Sequence, residues 1–349
     1  MAHLIMERDE QNGNAMAWHG LTVIPARILA MDESLRDTQG LERNELRVNG
    51  WDVKPENVYF ADNEPTPWQV FRASDDKLPI GVPFDPSSYT PIYNSAILDS
   101  IFGFLDGTSH RVVSAGSVGN RSKMFCTIAF DGAEDLTVDG KTLKPYGNIF
   151  WSHDKSIEVY YINSGIMTVC ANTLNMNLAL GKKAVMARVK HTKNAIGRIE
   201  NFAEMLDNQI GVAAEFRKAM QELANKPIDA ETAKRAFAGF VSSPSGLSTR
   251  AEGTVTRLSE LFVRGAGNRG ETRLDALQAV TDYYSHESAG GDDKWKQFVS
   301  SEFGSAGNRK AEFLPILLDD DKLTATVNRG DVALDNRRKL LSLKSTVLS

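Results

Sequence analysis

The sequence predicts an α+β protein with an antiparallel β-sheet and hairpin at its core, helices flanking that sheet, and a mainly helical C-terminal part. Short stretches between residues 111 and 191 alternate apolar and polar side chains, which is the period of a β-strand. After about residue 194, apolar residues recur at helical spacing in several separate runs. The strands also cluster along the chain instead of alternating regularly with helices, and this order is typical of α+β proteins.

Changes in composition divide the chain into four regions. Residues 1–92 are rich in Pro, Trp and Asp and predict an irregular segment with short strands, whereas residues 93–225 form the α+β core with a basic groove. Pro227 and the small polar run at Ser242–Gly246 indicate a boundary or mobile connection, so residues 226–318 are assigned to a helical C-terminal region. Residues 319–349 are polar and charged and predict a tail or docking arm.

The first predicted elements are one strand and one helix. A strand is predicted at Trp68–Arg72, and the four prolines that follow exclude a helix before Tyr93. Asn94 is the predicted N-cap of the helix, and Gly107 ends it. The buried face of this helix is predicted to carry Ile97, Leu98, Ile101, Phe102 and Leu105.

Alternation and turn residues then predict a half-buried strand and a hairpin. The strand places Met124, Cys126, Ile128 and Phe130 on one face, and Lys123, Phe125 and Thr127 on the other. Asp139-Gly140 stands between two short β-prone pieces, which is a strong signal for a two-residue hairpin turn.

Three more strands are predicted farther along the core. Two of them, at residues 148–151 and 156–162, are joined by a turn at His153–Lys155. The third covers Val185–His191 and directs Arg188 and Lys190 to the same face.

Helical spacing predicts the remaining elements. The predicted helices are residues 166–180, a long helix that begins near Asn194, Thr254–Phe262, Arg273–His286 and Trp295–Glu302.

Composition limits the classes of protein that this chain can be. Its 349 residues, 42% hydrophobic and 24% charged, are enough to form a packed core. No apolar run approaches the roughly 18 residues that span a bilayer, and the first residues do not follow the order of a secretory signal, so we expect a cytoplasmic protein. The two cysteines, Cys126 and Cys170, lie in apolar sequence and predict buried reduced thiols.

Two long windows of the chain contain basic residues and no acid, although the whole chain has 45 acidic and 40 basic residues and a net charge of −5. The windows are Gly107–Phe130 and Val159–Ile199. Because the net charge offers no general attraction to a polyanion, binding of nucleic acid would have to be local. Together the windows predict a groove for nucleic acid, while a solvated surface explains the same charge runs without any ligand.

Aromatic residues within or beside these windows support the groove, because unpaired bases stack on exposed rings while cations contact phosphates. Phe125 and Tyr160 are the best candidates for stacking, although most rings in such strands are core residues. The predicted nucleic-acid contacts are Arg111, Arg121, Lys123, Phe125, Tyr160, Lys182, Lys183, Arg188, Lys190, Lys193 and Arg198.

No motif identifies an active site, a metal site or a cofactor site. The six histidines are scattered and the two cysteines are far apart, so no zinc site is predicted. Gly265–Gly270 has the spacing of a dinucleotide fingerprint, but it follows a helical pattern where that motif requires a strand. Asp139 and Lys141 could belong to a metal-dependent nuclease, but the hairpin turn explains both residues without chemistry. A non-enzymatic role is favoured.

Several segments resemble the phage/plasmid-like protein family that carries domain of unknown function nine hundred and thirty-two. The resemblance covers roughly Ala15–Leu317 and is most specific in the Cys-Ala-Asn-Thr-Leu-Asn block. The segments that carry it are Trp18–Leu21, Tyr89–Asn94, Ser114–Ser117, Val169–Asn175, Lys190–Thr192, Leu277–Tyr283 and Phe303–Ser305. It implies an origin in a phage, prophage or plasmid and no particular activity.

A weaker likeness concerns the order of elements alone. A hairpin and sheet, followed by a basic strand that leads into a long helix, is similar to the phage single-strand annealing proteins of the ERF, Red-beta and RecT group. This likeness implies a protein that binds or anneals single strands during recombination, or protects them, as a homo-oligomeric ring or filament.

Three functions are therefore considered. The favoured one is a non-enzymatic protein that binds single-stranded nucleic acid, with a slope of log affinity against log salt of about −4 if six cations contact phosphates. The first alternative is a phage protein that binds a host protein, for example a component of a defence system. The second is the metal-dependent nuclease built on Asp139 and Lys141.

Overall fold

The computed structural model divides the chain into two compact units. The first comprises Met1–Glu134, Pro145–Ser164 and Lys183–Val212, and the second comprises Asp135–Lys144, Gly165–Lys182 and Ala213–Ser349. The structure describes residues 4–7, 14–15, 18–22, 24–25, 53–73, 79–108, 110–118, 122–129, 136–138, 141–167, 173–175, 188–192, 194–195, 197, 210–289, 296–297, 300–301 and 304–348.

The strands of the described residues are numbered in chain order. Strands β1 to β7 are Leu4–Glu7, Asn14–Ala15, Trp18–Thr22, Ile24–Pro25, Val53–Tyr59, Pro65–Ala73 and Pro79–Phe84. Strands β8 to β14 are Arg111–Val118, Lys123–Ala129, Leu136–Val138, Lys141–Ser152, Val159–Met167, Thr173–Asn175 and Arg188–Val189.

The helices of the described residues are numbered in the same way. Helices α1 to α7 are Asn94–Leu105, Ile210–Asn225, Ala230–Val241, Thr249–Arg264, Arg273–His286, Ser305–Leu318 and Asp320–Leu348. Antiparallel strands therefore precede a helical C-terminal part, and the predicted α+β class is confirmed.

The main sheet of the first unit has the strand order β12-β11-β9-β8-β1-β4, and β14 pairs with β12. Pairing is antiparallel between β9 and its neighbours β8 and β11, and parallel between β1 and β4. A separate antiparallel sheet has the order β5-β6-β7. The predicted strand at Trp68–Arg72 is confirmed within β6.

Helix α1 supplies the core of the first unit. Its apolar residues recur every three or four positions, so Ile97, Leu98, Ile101 and Leu105 form one buried face. They pack with strand residues such as Met124, Cys126, Ile128, Ile149 and Trp151. Burial of each large aliphatic side chain contributes about 1.5–3 kcal/mol, which is why this face fixes the helix on the sheet.

Strand β9 is buried on both faces, so the expectation of a half-buried strand is wrong. Phe125 and Thr127, on the face predicted to be exposed, are only 5% and 7% accessible. The strand lies in the interior of the sheet between β8 and β11, and the Thr127 hydroxyl donates to Asn148 Oδ1 at 2.7 Å. The buried polar side chain is thereby satisfied.

The hairpin prediction is confirmed, whereas the helix predicted over residues 166–180 is wrong for the part of that segment that the structure describes. Val138 pairs with Lys141 across a two-residue connection, as Asp139-Gly140 predicted, although these two residues lie outside the described ones. Strand β12 continues to Met167, and Thr173–Asn175 forms β13. Pairing within a sheet outweighs the local helical spacing here.

The second unit is helical, and its helices begin at polar caps. The Asp229 side chain accepts from Thr232 N at the start of α3. Thr272 and Asp275 form a reciprocal capping box at the start of α5. Both arrangements satisfy backbone amides that a helix leaves without partners in its first turn.

Helix α7 replaces the tail predicted for residues 319–349. It buries a narrow stripe of small or short residues against the rest of the second unit, namely Leu323, Thr326, Gly330 and Ala333. Arg329 Nε donates to Gly239 O at 2.7 Å and Arg337 Nε donates to Glu252 Oε2 at 2.9 Å. Among the described side chains of α7 only this stripe is buried, and the exposed positions around it carry the polar residues of the helix. No helix of the described residues combines the length and hydropathy needed to cross a membrane.

Candidate nucleic-acid interface

A buried polar cluster lies where the start of α1 meets the end of β11. Asn94 Oδ1 accepts from Trp151 Nε1 at 2.7 Å and lies 2.8 Å from His153 Nε2. Asn94 is 2% accessible, and Trp151 and His153 are completely buried. Since an amide oxygen can only accept, His153 must donate from Nε2 and present Nδ1 as an acceptor. This Nδ1 atom is buried and has no partner among the described residues.

A second histidine belongs to the same region. The Tyr89 hydroxyl lies 2.7 Å from His191 Nδ1, and the two rings are nearly parallel with centroids 4.9 Å apart. Thr90 N also donates to the His191 carbonyl at 3.4 Å. These contacts hold the end of β14 against the segment that leads into α1.

Both imidazoles are neutral at neutral pH. Burial, with a smaller contribution from His191, lowers the pKa of His153 to about 3, and Asp154 offsets part of this effect. Burial also lowers the pKa of His191 to about 4, against a weaker opposing effect of the Thr90 backbone. Removal from water disfavours the charged imidazolium, which accounts for the direction of both shifts.

The turn that follows His153 is held by an ion pair. Lys123 Nζ lies 2.8 Å from Asp154 Oδ2, and the two side chains are only 20% and 17% exposed. Burial alone would raise the pKa of Asp154, but hydrogen bonds from Lys123 and Ser156 outweigh it and lower this pKa to about 2. The carboxylate therefore stays ionised, and Lys123 has an acidic partner despite its acid-free neighbours in sequence.

Strand β7 packs tightly on this turn. Gly81 has φ 72°, and a Cβ there would lie 2.6 Å from Asp154 Cα, so no larger residue fits. Lys155 Nζ donates to Pro83 O at 3.0 Å and lies 5.6 Å from the centroid of the Tyr89 ring. The turn, β7 and Tyr89 thus form one fixed assembly inside the first unit.

An exposed basic face lies beside this assembly. Arg188 and Lys190 are exposed and Val189 is buried, so the predicted alternation is confirmed for these three residues. Arg188 is the cross-strand partner of Tyr160, and directly opposite residues of an antiparallel pair project from the same face. The Tyr160 ring is partly buried and packs on Phe150, with centroids 5.2 Å apart. Two cations and one aromatic ring therefore lie together.

Of the other predicted contacts, the structure describes three, namely Arg111, Lys123 and Phe125. Lys123 is held by Asp154, so the expectation that it is free of carboxylates is wrong. Phe125 is buried and does not offer the open ring that stacking requires. Arg111 is half-buried at the start of β8. Five predicted contacts lie outside the described residues, namely Arg121, Lys182, Lys183, Lys193 and Arg198.

Comparison with protein families identifies a matching family. The family described as Domain of unknown function (DUF932) matches residues 86–314, which is well over half of the chain. The chain belongs to this family. No curated protein and no solved structure matches it.

Two segments that carry the family resemblance meet in the polar cluster. Tyr89–Asn94 supplies the tyrosine and the asparagine, and Lys190–Thr192 supplies His191. The sequence alone assigned no role to the polar side chains of these segments, and it placed His153 only in a turn. His153 directly follows Ser152, the last residue of the apolar strand β11, and this position is the signal that could have identified it.

The described residues contain no group of three or more His, Cys, Asp or Glu side chains placed to hold a metal ion. Of the two residues considered for nuclease chemistry, Lys141 begins β11 and Asp139 lies outside the described residues. The chemistry available in the described site is therefore that of exposed cations beside an aromatic ring, on a strand that a buried polar cluster holds in place.

Proposed function

We propose that this chain binds single-stranded nucleic acid at Arg188, Lys190 and Tyr160, as a homo-oligomeric protein of a phage or plasmid that anneals or protects DNA. The observation that carries the proposal is the common exposed face of Arg188 and Lys190 with Tyr160 beside them across the strand pair. Cations on such a face contact phosphates, and a partly exposed ring can stack on an unpaired base.

The net charge of the chain makes the location of these cations important. At a net charge of −5, the protein as a whole does not attract a polyanion. Exposed cations without a nearby acid can still bind phosphate because salt screens interactions beyond about 8–10 Å. Arg188 and Lys190 meet this condition in sequence, since the window Val159–Ile199 has no acid.

The buried cluster supports the proposal through preorganisation. His191 directly follows Lys190, and its contacts with Tyr89 and Thr90 fix the backbone from which Lys190 projects. Binding groups on a fixed element lose less conformational freedom when a ligand binds. The cluster thus stabilises the strand end that carries Lys190, and it lies next to the surface that contacts nucleic acid.

The decisive experiment is fluorescence anisotropy with a labelled single-stranded oligonucleotide over a range of salt. Charge reversal by Arg188→Glu and Lys190→Glu together should weaken binding at least tenfold. It should also reduce the steepness of log affinity against log salt by about 1.4, because two phosphate contacts are lost. A matched control reverses two exposed cations elsewhere, Lys54→Glu and Arg250→Glu, and should leave the slope unchanged.

Two results would overturn the proposal. One is the absence of any binding by the wild-type chain at about 50 mM salt, where electrostatic binding is strong. The other is an equal loss of affinity in the control variant, which would show that net charge alone is responsible. Annealing is measured separately, by fluorescence transfer between two labelled complementary strands with and without protein.

A further inference from the structure

The hairpin of β5 and β6 exposes three large aromatic side chains. Tyr59, Phe60 and Trp68 are 56%, 60% and 46% accessible. The strands pair from Val53 with Ala73 to Tyr59 with Pro65, and Phe60 N donates to Glu64 O at 2.8 Å across the tip. Large exposed rings on a well-paired hairpin are typical of a surface that binds another protein.

The charge of the hairpin tip restricts the partner. Asp62 and Glu64 are exposed, and the segment Tyr59–Trp68 contains no basic residue. The two carboxylates repel a phosphate backbone, so the tip is unsuited to nucleic acid. A partner that fits must combine exposed apolar side chains with positive charge.

The last described turns of α7 have that combination. Leu340 and Leu341 are 53% and 44% accessible, and Arg338 and Lys339 beside them are exposed. Within the described part of the chain, Arg338 forms a surface contact with Asp335, at 3.5 Å between two side chains that are 71% and 64% exposed. Such a contact contributes little and is easily exchanged.

We propose that copies of this chain associate head to tail, with the β5–β6 hairpin of one copy docked on the C-terminal turns of α7 of the next copy. Rings and leucines would bury apolar surface, while Asp62 and Glu64 approach Arg338 and Lys339. Because the two surfaces are different, the contact is heterologous, and repetition produces a ring or a filament. The inference rests on the proposed function for its biological use, whereas its physical basis does not involve nucleic acid.

The test uses two charge-reversed variants of the full chain, measured without nucleic acid by light scattering coupled to size exclusion. The hairpin variant carries Asp62→Lys and Glu64→Lys, and the helix variant carries Arg338→Glu and Lys339→Glu. The wild type should form assemblies of several copies, and each variant alone should elute at the single-chain mass of 38.4 kDa.

Mixing the two variants distinguishes head-to-tail association from other arrangements. Each variant retains one intact surface, and its reversed surface is complementary in charge to the reversed surface of the other variant, so an equimolar mixture should form assemblies in which the two variants alternate. A chain with all four reversals should associate again, because the charges are complementary in the opposite sense. Phe60→Ser is an independent disruption that removes an exposed ring and leaves the charges in place.

A matched control reverses two exposed charges away from both surfaces, Arg264→Glu and Asp321→Lys, and should assemble as the wild type does. A monomeric wild type at about 50 μM, a concentration well above that needed for a specific contact, would overturn the inference. So would variants that associate as the wild type does, or a mixture of the two variants that stays monomeric. If the wild type stays monomeric but still binds a short oligonucleotide, the inference fails while the proposed binding of nucleic acid stands.

Discussion

Asn94 joins two elements of the first unit through a single side-chain oxygen. This oxygen is the acceptor for both Trp151 and His153, which stand at the end of β11, while Asn94 itself is the first residue of α1. All three side chains are buried, so water cannot replace either bond. At this position the amide therefore sets the relation between the helix and the sheet.

Asn94→Ala should destabilise the protein strongly. The substitution leaves two buried donors, Trp151 Nε1 and His153 Nε2, without partners, and each such donor costs about 1–3 kcal/mol. We expect a loss of about 3 kcal/mol in the free energy of unfolding, measured by urea denaturation. The control is Asn57→Ala, whose side chain accepts from Gln69 at 3.1 Å on the surface, and it should change stability by less than about 0.5 kcal/mol. Equal effects of the two substitutions would contradict this account of Asn94.

His153 and His191 should make stability fall at mildly acidic pH. Both have a folded-state pKa, about 3 and about 4, below the ordinary value of 6.5, so the unfolded chain takes up protons first as the pH falls. Well above the ordinary pKa the two histidines do not make stability depend on pH. Together they should lower the free energy of unfolding by about 2 kcal/mol as the pH falls from 6 to 5. Either His153→Asn or His191→Asn alone should halve this dependence of the unfolding free energy on pH, measured by urea denaturation at several pH values. A wild-type curve that is flat over this interval would contradict the prediction.

Pairs such as these could not be predicted from sequence. Asn94 and His153 are 59 residues apart, and Tyr89 and His191 are 102 residues apart. Spacing rules detect partners that lie on one helix or strand, whereas these partners meet only after the sheet has formed. For the same reason, nothing near Lys123 in sequence indicated that Asp154 would pair with it.

Among the elements, predictions from periodicity were confirmed where one face is buried and local pattern decides. Helix α1 and strand β14 are examples, because the buried positions in each follow the spacing of its apolar residues. The pattern was insufficient for β9, which is buried on both faces, and for β12, which extends into a segment with helical spacing. It also missed the packing of α7, because its contacts use glycine and alanine, which carry little hydrophobic signal.

The crossing of α3 and α7 depends on two glycines. A Cβ on Gly239 would fall on the Thr326 carbonyl oxygen, and a Cβ on Gly330 would fall on the Arg235 carbonyl oxygen. The helix backbones therefore touch, and Gly239→Ala or Gly330→Ala must force them apart. We expect a loss of about 1–3 kcal/mol for either substitution, measured by chemical denaturation.

A third glycine provides the matched control for that crossing. Gly253 lies in α4 with nothing within 4 Å of its hypothetical Cβ. Gly253→Ala should stabilise the protein by up to about 1 kcal/mol, because alanine has the higher helix propensity. If Gly330→Ala were as benign as Gly253→Ala, the close crossing of α3 and α7 would be refuted.

At the scale of the whole molecule, the proposed binding of nucleic acid depends more on where the charged side chains lie than on the net charge. The idea of one groove built from both acid-free windows is weakened, because Lys123 is neutralised by an acid from another part of the chain. What supports nucleic-acid binding is the smaller face of Arg188, Lys190 and Tyr160. A face with two cations predicts a slope of log affinity against log salt of about −1.4, against about −4 for six contacts. The measured slope therefore reports how many of the cations outside the described residues also contact phosphates.

If both proposals hold, affinity should depend on the length of the strand in a way that a single copy cannot produce. A short oligonucleotide engages one copy, whereas a long one engages several joined copies, and each further contact forms at a high effective concentration. Wild-type protein should thus bind a 60-nucleotide strand at least about a hundredfold more tightly than a 15-nucleotide strand. The monomeric hairpin variant with Asp62→Lys and Glu64→Lys should bind both lengths nearly equally, apart from the larger number of sites on the longer strand. Anisotropy titrations of the two strands with the two proteins measure this, and a length dependence that persists in the monomeric variant would show that cooperation along the strand does not use the contact between hairpin and helix.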